Sequence, residues 1–231
     1  MNEPAAVRFF HVWDTYAKVV AANYMYHQEI GQAIKAALRA RFGGRAFTVL
    51  DLGCGDAATF APLLEGFDVK NYLGADLSEA ALALARQNLS GLACPVVLTQ
   101  ADLMSELESA EPHDLIYVSF ALHHLTTAQK AEFFRVAAQK LAPGGLLLVA
   151  DVVREEGQNL PDYLEGYTNY LTEVMVTLEP SEREAIREHI TGFDLPEPCS
   201  VLQKQAEDRG LRMLDVAAPH KWHRLLAFAK A

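Results

Sequence analysis

The sequence predicts an α/β fold built on a doubly wound parallel sheet with its last strand antiparallel, and two observations carry that prediction. From residue 47 onward, short apolar runs alternate with stretches of helical periodicity. Strands separated by helix-length connections run parallel, because each crossover returns the chain to the same end of the sheet. The exception is C-terminal: Leu211-Arg212-Met213-Leu214-Asp215-Val216 and His223-Arg224-Leu225-Leu226-Ala227-Phe228 are separated by a short turn through Pro219. Too few residues remain there for a crossover, so the final strand runs antiparallel to its neighbour. At 231 residues the chain suits one domain, residues 1–231, with a helical cover.

In chain order, Phe9, Val12, Trp13, Tyr16 and Val20, then Ile30, Ile34, Ala37 and Leu38, fall at helical spacing, and Gly43-Gly44 closes this N-terminal cover of residues 1–45. A strand near 47–52, a helix over 57–66, a strand at 71–76, a helix over 78–89 and a strand at 95–99 follow. The next strand is Asp114-Leu115-Ile116-Tyr117-Val118-Ser119-Phe120, and Thr126-x-x-Gln129 has the spacing of a capping box opening a helix to about 141. Ala142-Pro143-Gly144-Gly145 turns the chain into the fifth strand, Leu146-Leu147-Leu148-Val149-Ala150. Residues 154–198 then interrupt the alternation as a helical insertion. Tyr163, Tyr167, Tyr170, Leu171, Val174 and Leu178 make one stripe of it, and Ser181-x-x-Glu184 caps its second helix. Ser200-x-x-Gln203 opens the last helix.

Composition narrows the function. A formal charge of −10 argues against a broad phosphate-binding face, so nucleic acid is not the expected partner. Cys54, Cys94 and Cys199 are odd in number and lack Cys-x-x-Cys spacing, which supports neither a disulfide framework nor a zinc knuckle. The N-terminus lacks the order of a signal peptide and no run approaches membrane-spanning length, so a cytoplasmic protein is expected.

The chemistry concentrates at strand ends. Val49-Leu50-Asp51-Leu52-Gly53-Cys54-Gly55 is an apolar run ending in an acid and a Gly-x-Gly turn, the way a βα unit brings backbone N–H groups against a ligand. About 20 residues on, Tyr72-Leu73-Gly74-Ala75-Asp76-Leu77 ends a second strand in a carboxylate within reach of ribose hydroxyls. Together they describe a nucleoside site. His123 and His124 follow the fourth strand at the carboxyl edge, where either is a candidate general base or a loop-ordering contact. His220-x-x-His223 could suggest a metal pair, but it sits on a turn into a strand with no further ligand cluster in the sequence, so no metal is expected.

These motifs, in this order, resemble the class I S-adenosylmethionine-dependent methyltransferases over nearly the whole chain. The resemblance rests on Val49 to Gly55, on Asp76, on Gln100-Ala101-Asp102-Leu103, on the 114–120 strand with Ala121-Leu122-His123-His124-Leu125, and on Leu141-Ala142-Pro143-Gly144-Gly145. It implies a Rossmann-like seven-stranded sheet with the last strand antiparallel. Asp76 then takes the ribose and Asp102 the adenine amino group, while Asp51 attracts the methionine ammonium; backbone at Gly53, Leu77, Leu103 and Ser119 completes the contacts. The family's third turn glycine is Ala57 here, which a negative φ would make tolerable.

The expected reaction is in-line methyl transfer to an O, N or C atom of a small-molecule acceptor, with His124 or His123 as base where the acceptor must lose a proton. The acceptor is expected against residues 9–30 and 154–195, including the aromatic candidates Trp13, Tyr16, Tyr24, Tyr26 and His27. Three rivals stand beside this reading. Gly53-x-Gly55-x-x-Ala58 also formally satisfies a dinucleotide fingerprint, pointing to an NAD(P)-dependent oxidoreductase. A cofactor-modifying enzyme that makes a carboxylated donor would be marked by an extra arginine at the site, and an RNA-modifying enzyme by a contiguous basic face. The apolar helix faces of the two covers suit a lid or a homodimer contact equally.

Overall fold

The computed structural model describes residues 13–215 and 220–230, with side chains from residue 15 onward. Phe9, Val12, the side chain of Trp13 and the Pro219 turn lie outside the described residues. Seven strands form one sheet: β1 Phe47–Leu52, β2 Val69–Asp76, β3 Val96–Gln100, β4 His113–Ser119, β5 Leu141–Val152, β6 Leu211–Leu214 and β7 His223–Lys230. Their order is β3-β2-β1-β4-β5-β7-β6. The first five pair in parallel, and β7 runs antiparallel to both β5 and β6. The strand order reverses between β1 and β4, which opens the crevice where α/β sheets bind ligands.

Side-chain alternation divides the core. Val49, Tyr72, Leu115, Tyr117 and Leu148 pack to one side beneath α2 (His27–Phe42), which contributes Ile30, Ile34, Leu38 and Phe42. Leu50, Leu52, Ile116, Val118, Leu147 and Val149 face the other side, meeting Phe133 and Phe134 of α5 (Thr127–Lys140). Between them in sequence lie α3 (Glu79–Asn88) and α4 (Leu103–Ser109). The Thr126–Gln129 capping box forms as expected.

A third cluster, separate from both, holds the cover together. The stripe residues Tyr163, Tyr167 and Leu171 on α6 (Leu160–Val174) pack with Ile186 and Ile190 on α7 (Pro180–Phe193) and with Val19 on α1 (Trp13–Ala21). Thr15 and Lys18 of α1 both donate to Glu182 of α7, at 3.0 and 2.6 Å. These contacts place the N-terminal and inserted helices side by side over the carboxyl edge of the sheet.

Several local expectations are corrected. The helical pattern of the N-terminal cover holds in the described residues as two helices, divided where Asn23 and Tyr26 take left-handed φ of 56° and 58°; the Asn23 side chain accepts from Gln28 N at 2.9 Å and restarts the chain. The helix expected over 57–66 shrinks to one 3-10 turn, Ala61–Leu64, bounded by left-handed Ala57 and by Gly66 at φ 82°. Strand β5 starts at Leu141, and Ala142-Pro143-Gly144-Gly145 is an irregularity within it. Helix α7 is capped two residues earlier than expected, by Glu179 and Glu182, because Pro180 fits the first helical turn. Helix α8 (Cys199–Glu207) starts after Pro198, and Ser200 instead donates to Glu156 at 2.5 Å.

Candidate active site

One cavity of about 350 Å³ lies at the carboxyl ends of β1, β2 and β4 and beneath the helical cover. Its lining includes Asp51, Gly53, Gly55, Asp76, Leu77, Asp102, Leu103, Ser119, His123 and His124, so every site residue expected from the sequence converges on one space.

The β1 turn explains its glycines. Gly53 and Gly55 have φ of 71° and 55°, and a Cβ on Gly53 would lie 2.9 Å from the Ala121 side chain. Ala57 continues the turn at φ 56°, so the negative φ that would make a methyl tolerable there is not met; its methyl is buried in the core under the turn. This path aims Gly55 N at Asp76 Oδ2, 2.9 Å away, while Ser78 N donates to Oδ1 at 2.8 Å. Both oxygens of Asp76 are thus oriented by backbone and keep lone pairs toward the cavity. Burial raises the Asp76 pKa even though these N–H groups favour its charge.

Asp51 is 1% exposed. Tyr72 donates to its Oδ2 at 2.5 Å, and its buried Oδ1 has no hydrogen-bond partner. Burial pushes its pKa up to about 7, opposed by Tyr72 and reinforced by the charge of Asp76. A buried, unpaired carboxylate oxygen on a cavity wall calls for a cationic or N–H donor there. Asp102 caps α4, with Oδ1 accepting from Met104 N at 2.9 Å and Ser105 N at 3.3 Å. Leu77, 49% exposed, and Leu103 form an apolar wall beside it.

The far wall is more polar than the sequence suggested. His123 and His124 lie on the 3-10 turn Leu122–His124. Asp151, at the end of β5, accepts from His123 N at 2.9 Å and holds its Nδ1 at 2.5 Å. Burial opposes a charge on His123, yet the neighbouring Asp151 and Asp194 carry its pKa above the ordinary value. His124 goes the other way: burial, with the charges of His123 and His189, pulls it down to about 2, so it stays neutral at working pH and makes a poor proton store. Leu195 N donates to the His123 carbonyl at 2.9 Å, and buried Lys130 reaches both the Leu125 and Leu195 carbonyls, tying the insertion to this turn.

Asp151, His189 and Asp194 were not singled out by sequence. Asp151 had a signal, an acid closing the apolar fifth strand as Asp51 and Asp76 close theirs; His189 and Asp194 had none. The aromatic candidates divide. Tyr16 and Tyr167 reach the cavity, whereas Tyr24 binds Thr177 at 2.8 Å and Tyr26 stacks on His220. His223 Nε2 is bonded to the Tyr167 hydroxyl at 2.9 Å, while the His220 ring stacks on Tyr26.

A family model described as a methyltransferase domain matches residues 49–145, the span from β1 to the Gly144-Gly145 turn. A solved structure, magnesium protoporphyrin IX methyltransferase of Synechocystis PCC 6803 with bound SAH, superposes with a TM-score of 0.62 over 90% of this chain and 84% of that one, at 16% identity. Residues 49–145 carry a methyltransferase domain, on the fold of class I S-adenosylmethionine-dependent methyltransferases. It is 39% identical over 101 residues to trans-aconitate 2-methyltransferase of Acidovorax sp. (strain JS42), covering 44% of this chain and 36% of that protein. It is also 26% identical over 156 residues to carboxy-S-adenosyl-L-methionine synthase of Campylobacter fetus subsp. fetus (strain 82-40), covering 66% of this chain and 64% of that one. The chain therefore spans little more than a third of the length of its trans-aconitate relative. The family's cofactor is S-adenosylmethionine, and the unpaired Asp51 oxygen and the backbone-oriented Asp76 fit its ammonium and ribose. No helix among the described residues is long and apolar enough to cross a membrane.

Proposed function

We propose that this methyltransferase-domain protein binds S-adenosylmethionine along the Asp51, Asp76 and Asp102 edge and transfers its methyl group to a small-molecule acceptor beneath the helical cover. The observation that carries the reading is the pair of strand-end carboxylates facing one cavity, buried Asp51 with an unpaired oxygen and half-buried Asp76 with both oxygens oriented by backbone N–H groups. When bound, the cofactor supplies a methyl group activated by a sulfonium charge.

The chain's own groups do the positioning. Asp76 accepts from the ribose hydroxyls, Asp51 Oδ1 from the methionine ammonium, and Asp102 from the adenine amino group, each a charge-assisted bond. Leu77 and Leu103 cover the base, and backbone at Gly53 and Ser119 lines the path between. Val19 and Met25 from the N-terminal cover and Leu171, Met175, Ile186 and Ile190 from the insertion enclose the remaining volume. They keep water from the reacting atoms and hold the acceptor in line, which is most of what such a transfer requires. The corner of His123, His124 and Asp194 is placed to meet the acceptor's polar end.

The same wall weighs against the rivals. Among the described residues lining the cavity there is no arginine or lysine. A pyrophosphate would face Asp51, Asp56 and Asp76 without a counter-charge, and a donor carboxylate, as in the synthase relative's product, would find no guanidinium. A polyanionic acceptor is disfavoured for the same reason.

Calorimetric titration with S-adenosylmethionine, S-adenosylhomocysteine and NAD(H) tests the reading. One-to-one binding of the first two and none of the third is expected; tight NAD(H) binding, or no binding of either adenosyl ligand, would overturn it.

A further inference from the structure

We propose that His123, His124 and Asp194 bind one divalent transition-metal ion at the acceptor end of the cavity. The inference takes from the proposed function only the position of the acceptor; the metal site itself stands on the side-chain geometry.

The three residues offer ligand atoms that all lie within 4.8 Å of one another. Asp194 Oδ1 is 3.5 Å from His123 Nε2 and 3.8 Å from His124 Nδ1. Both separations are long for hydrogen bonds. They approach the edge of a coordination polyhedron, roughly 3.4 Å for tetrahedral ligands about 2.1 Å from a metal. Asp194 Oδ1 and His124 Nδ1 are both buried without a hydrogen-bond partner, an arrangement that is costly unless a cation lies between them.

The surroundings are those of a ligand set. Asp151 engages His123 Nδ1, which leaves the Nε2 lone pair directed toward Asp194; a carboxylate behind a histidine in this way fixes the tautomer of metal-binding imidazoles. Asp151 and Asp194 supply two carboxylates, whereas the nearby cation, Lys130, is spent on the Leu125 and Leu195 carbonyls. Two imidazoles with one carboxylate suit zinc, iron(II) or manganese(II) rather than magnesium or calcium. All three side chains line the cavity, so further coordination positions open toward the acceptor, as in catalytic rather than closed structural sites. They would take an oxygen donor of the acceptor. His123 and His124 are then ligands, not the free bases their position in the sequence suggests.

The test is a cobalt(II) titration of chelator-treated full-length protein, followed by visible ligand-field absorption and by zinc(II) competition. The expected result is one saturating equivalent displaced by zinc, with affinity at least tenfold weaker in Asp194→Asn and in His124→Phe. Asp151→Asn should weaken it by about tenfold through His123. Each variant should keep the far-UV circular dichroism and cooperative urea unfolding of wild type, which shows that it is folded. Should a variant fail that criterion, the other two decide. The proposal is overturned if wild type shows no saturable cobalt binding, if folded Asp194→Asn binds as wild type does, or if binding is lost in His220→Gln instead. Failure of S-adenosylmethionine to bind wild type would sink the proposed function alone, since the cobalt titration uses no cofactor.

Discussion

The two ends of the cavity are built by different means. At the cofactor edge, acids leave the ends of adjacent parallel strands, with Asp51 in register with Gly74 and Leu52 with Ala75, and Asp76 is fixed by backbone N–H groups at Gly55 and Ser78. At the acceptor end, His123, Asp151, His189 and Asp194 come from a 3-10 turn, a strand end and the inserted helix with its C-terminal cap, and they are brought together by hydrogen bonds between the insertion and the histidine turn. Sheet geometry thus holds the first end, while docking of the cover holds the second. A cover built this way can change what it encloses without disturbing the strand ends.

Two substitutions would break that contrast if it is wrong. In the proposed binding mode Asp76→Ala removes the acceptor of both ribose bonds, and hydrogen bonds to a charged group contribute about 1.5–3 kcal/mol each. Calorimetry should show S-adenosylmethionine affinity falling about 100-fold or more, with the fold retained. Leu171→Ala acts on the other end: the side chain is 3% exposed within the cover's core, and truncation there should cost about 2–4 kcal/mol in urea unfolding. Cofactor affinity should move by less than about threefold. A parallel loss of stability and cofactor affinity in Leu171→Ala would mean that the two ends are one unit.

Asp51 sharpens the comparison because its burial without a partner for Oδ1 costs stability. Burial lifts its folded-state pKa to about 7, against about 3.9 in the unfolded chain. Between those values the folded state keeps a proton that the unfolded state has released, so stability declines as pH rises through the window. Asp51→Asn removes the penalty. Without cofactor, the variant should match wild type near pH 4 and exceed it by on the order of 4 kcal/mol at pH 8. The same variant should bind S-adenosylmethionine about tenfold more weakly, because a neutral amide replaces the partner of an ammonium. Equal stability curves for variant and wild type across that pH range would show that Asp51 is not desolvated as described.

Legibility in the sequence follows the same division. Asp51 and Asp76 could be read because an acid closing an apolar run marks a strand end on sight, and the antiparallel last strand followed from the short connection before it. Asp151 carried that signal inside a longer apolar run. Asp194 and His189 could not be read, because their place over the histidine turn depends on Leu195 pairing with the His123 carbonyl and on Lys130 bridging the two segments. Capping motifs were ambiguous where two overlapped: Ser181 and Glu184 fit the spacing, but Glu179, Pro180 and Glu182 fit it with a proline in the first turn.

The smallest expected effect lies in the glycine turn itself, at Ala57. Its left-handed φ of 56° costs an alanine about 1–2 kcal/mol relative to glycine. Ala57→Gly relieves that strain, but it removes a buried methyl worth about 0.8 kcal/mol and gives the unfolded chain freedom worth about 0.4–1 kcal/mol. The terms nearly cancel, so the variant should unfold within about 1 kcal/mol of wild type and bind S-adenosylmethionine unchanged. Gly53→Ala has no such compensation. It combines φ of 71° with a Cβ only 2.9 Å from the Ala121 side chain, and should cost about 2 kcal/mol or more and weaken cofactor binding. Urea unfolding of the two variants side by side measures whether the turn's requirement for glycine comes from φ alone or from the close approach of Ala121. A Gly53→Ala loss no larger than the mirror image of the Ala57→Gly change would assign it to φ.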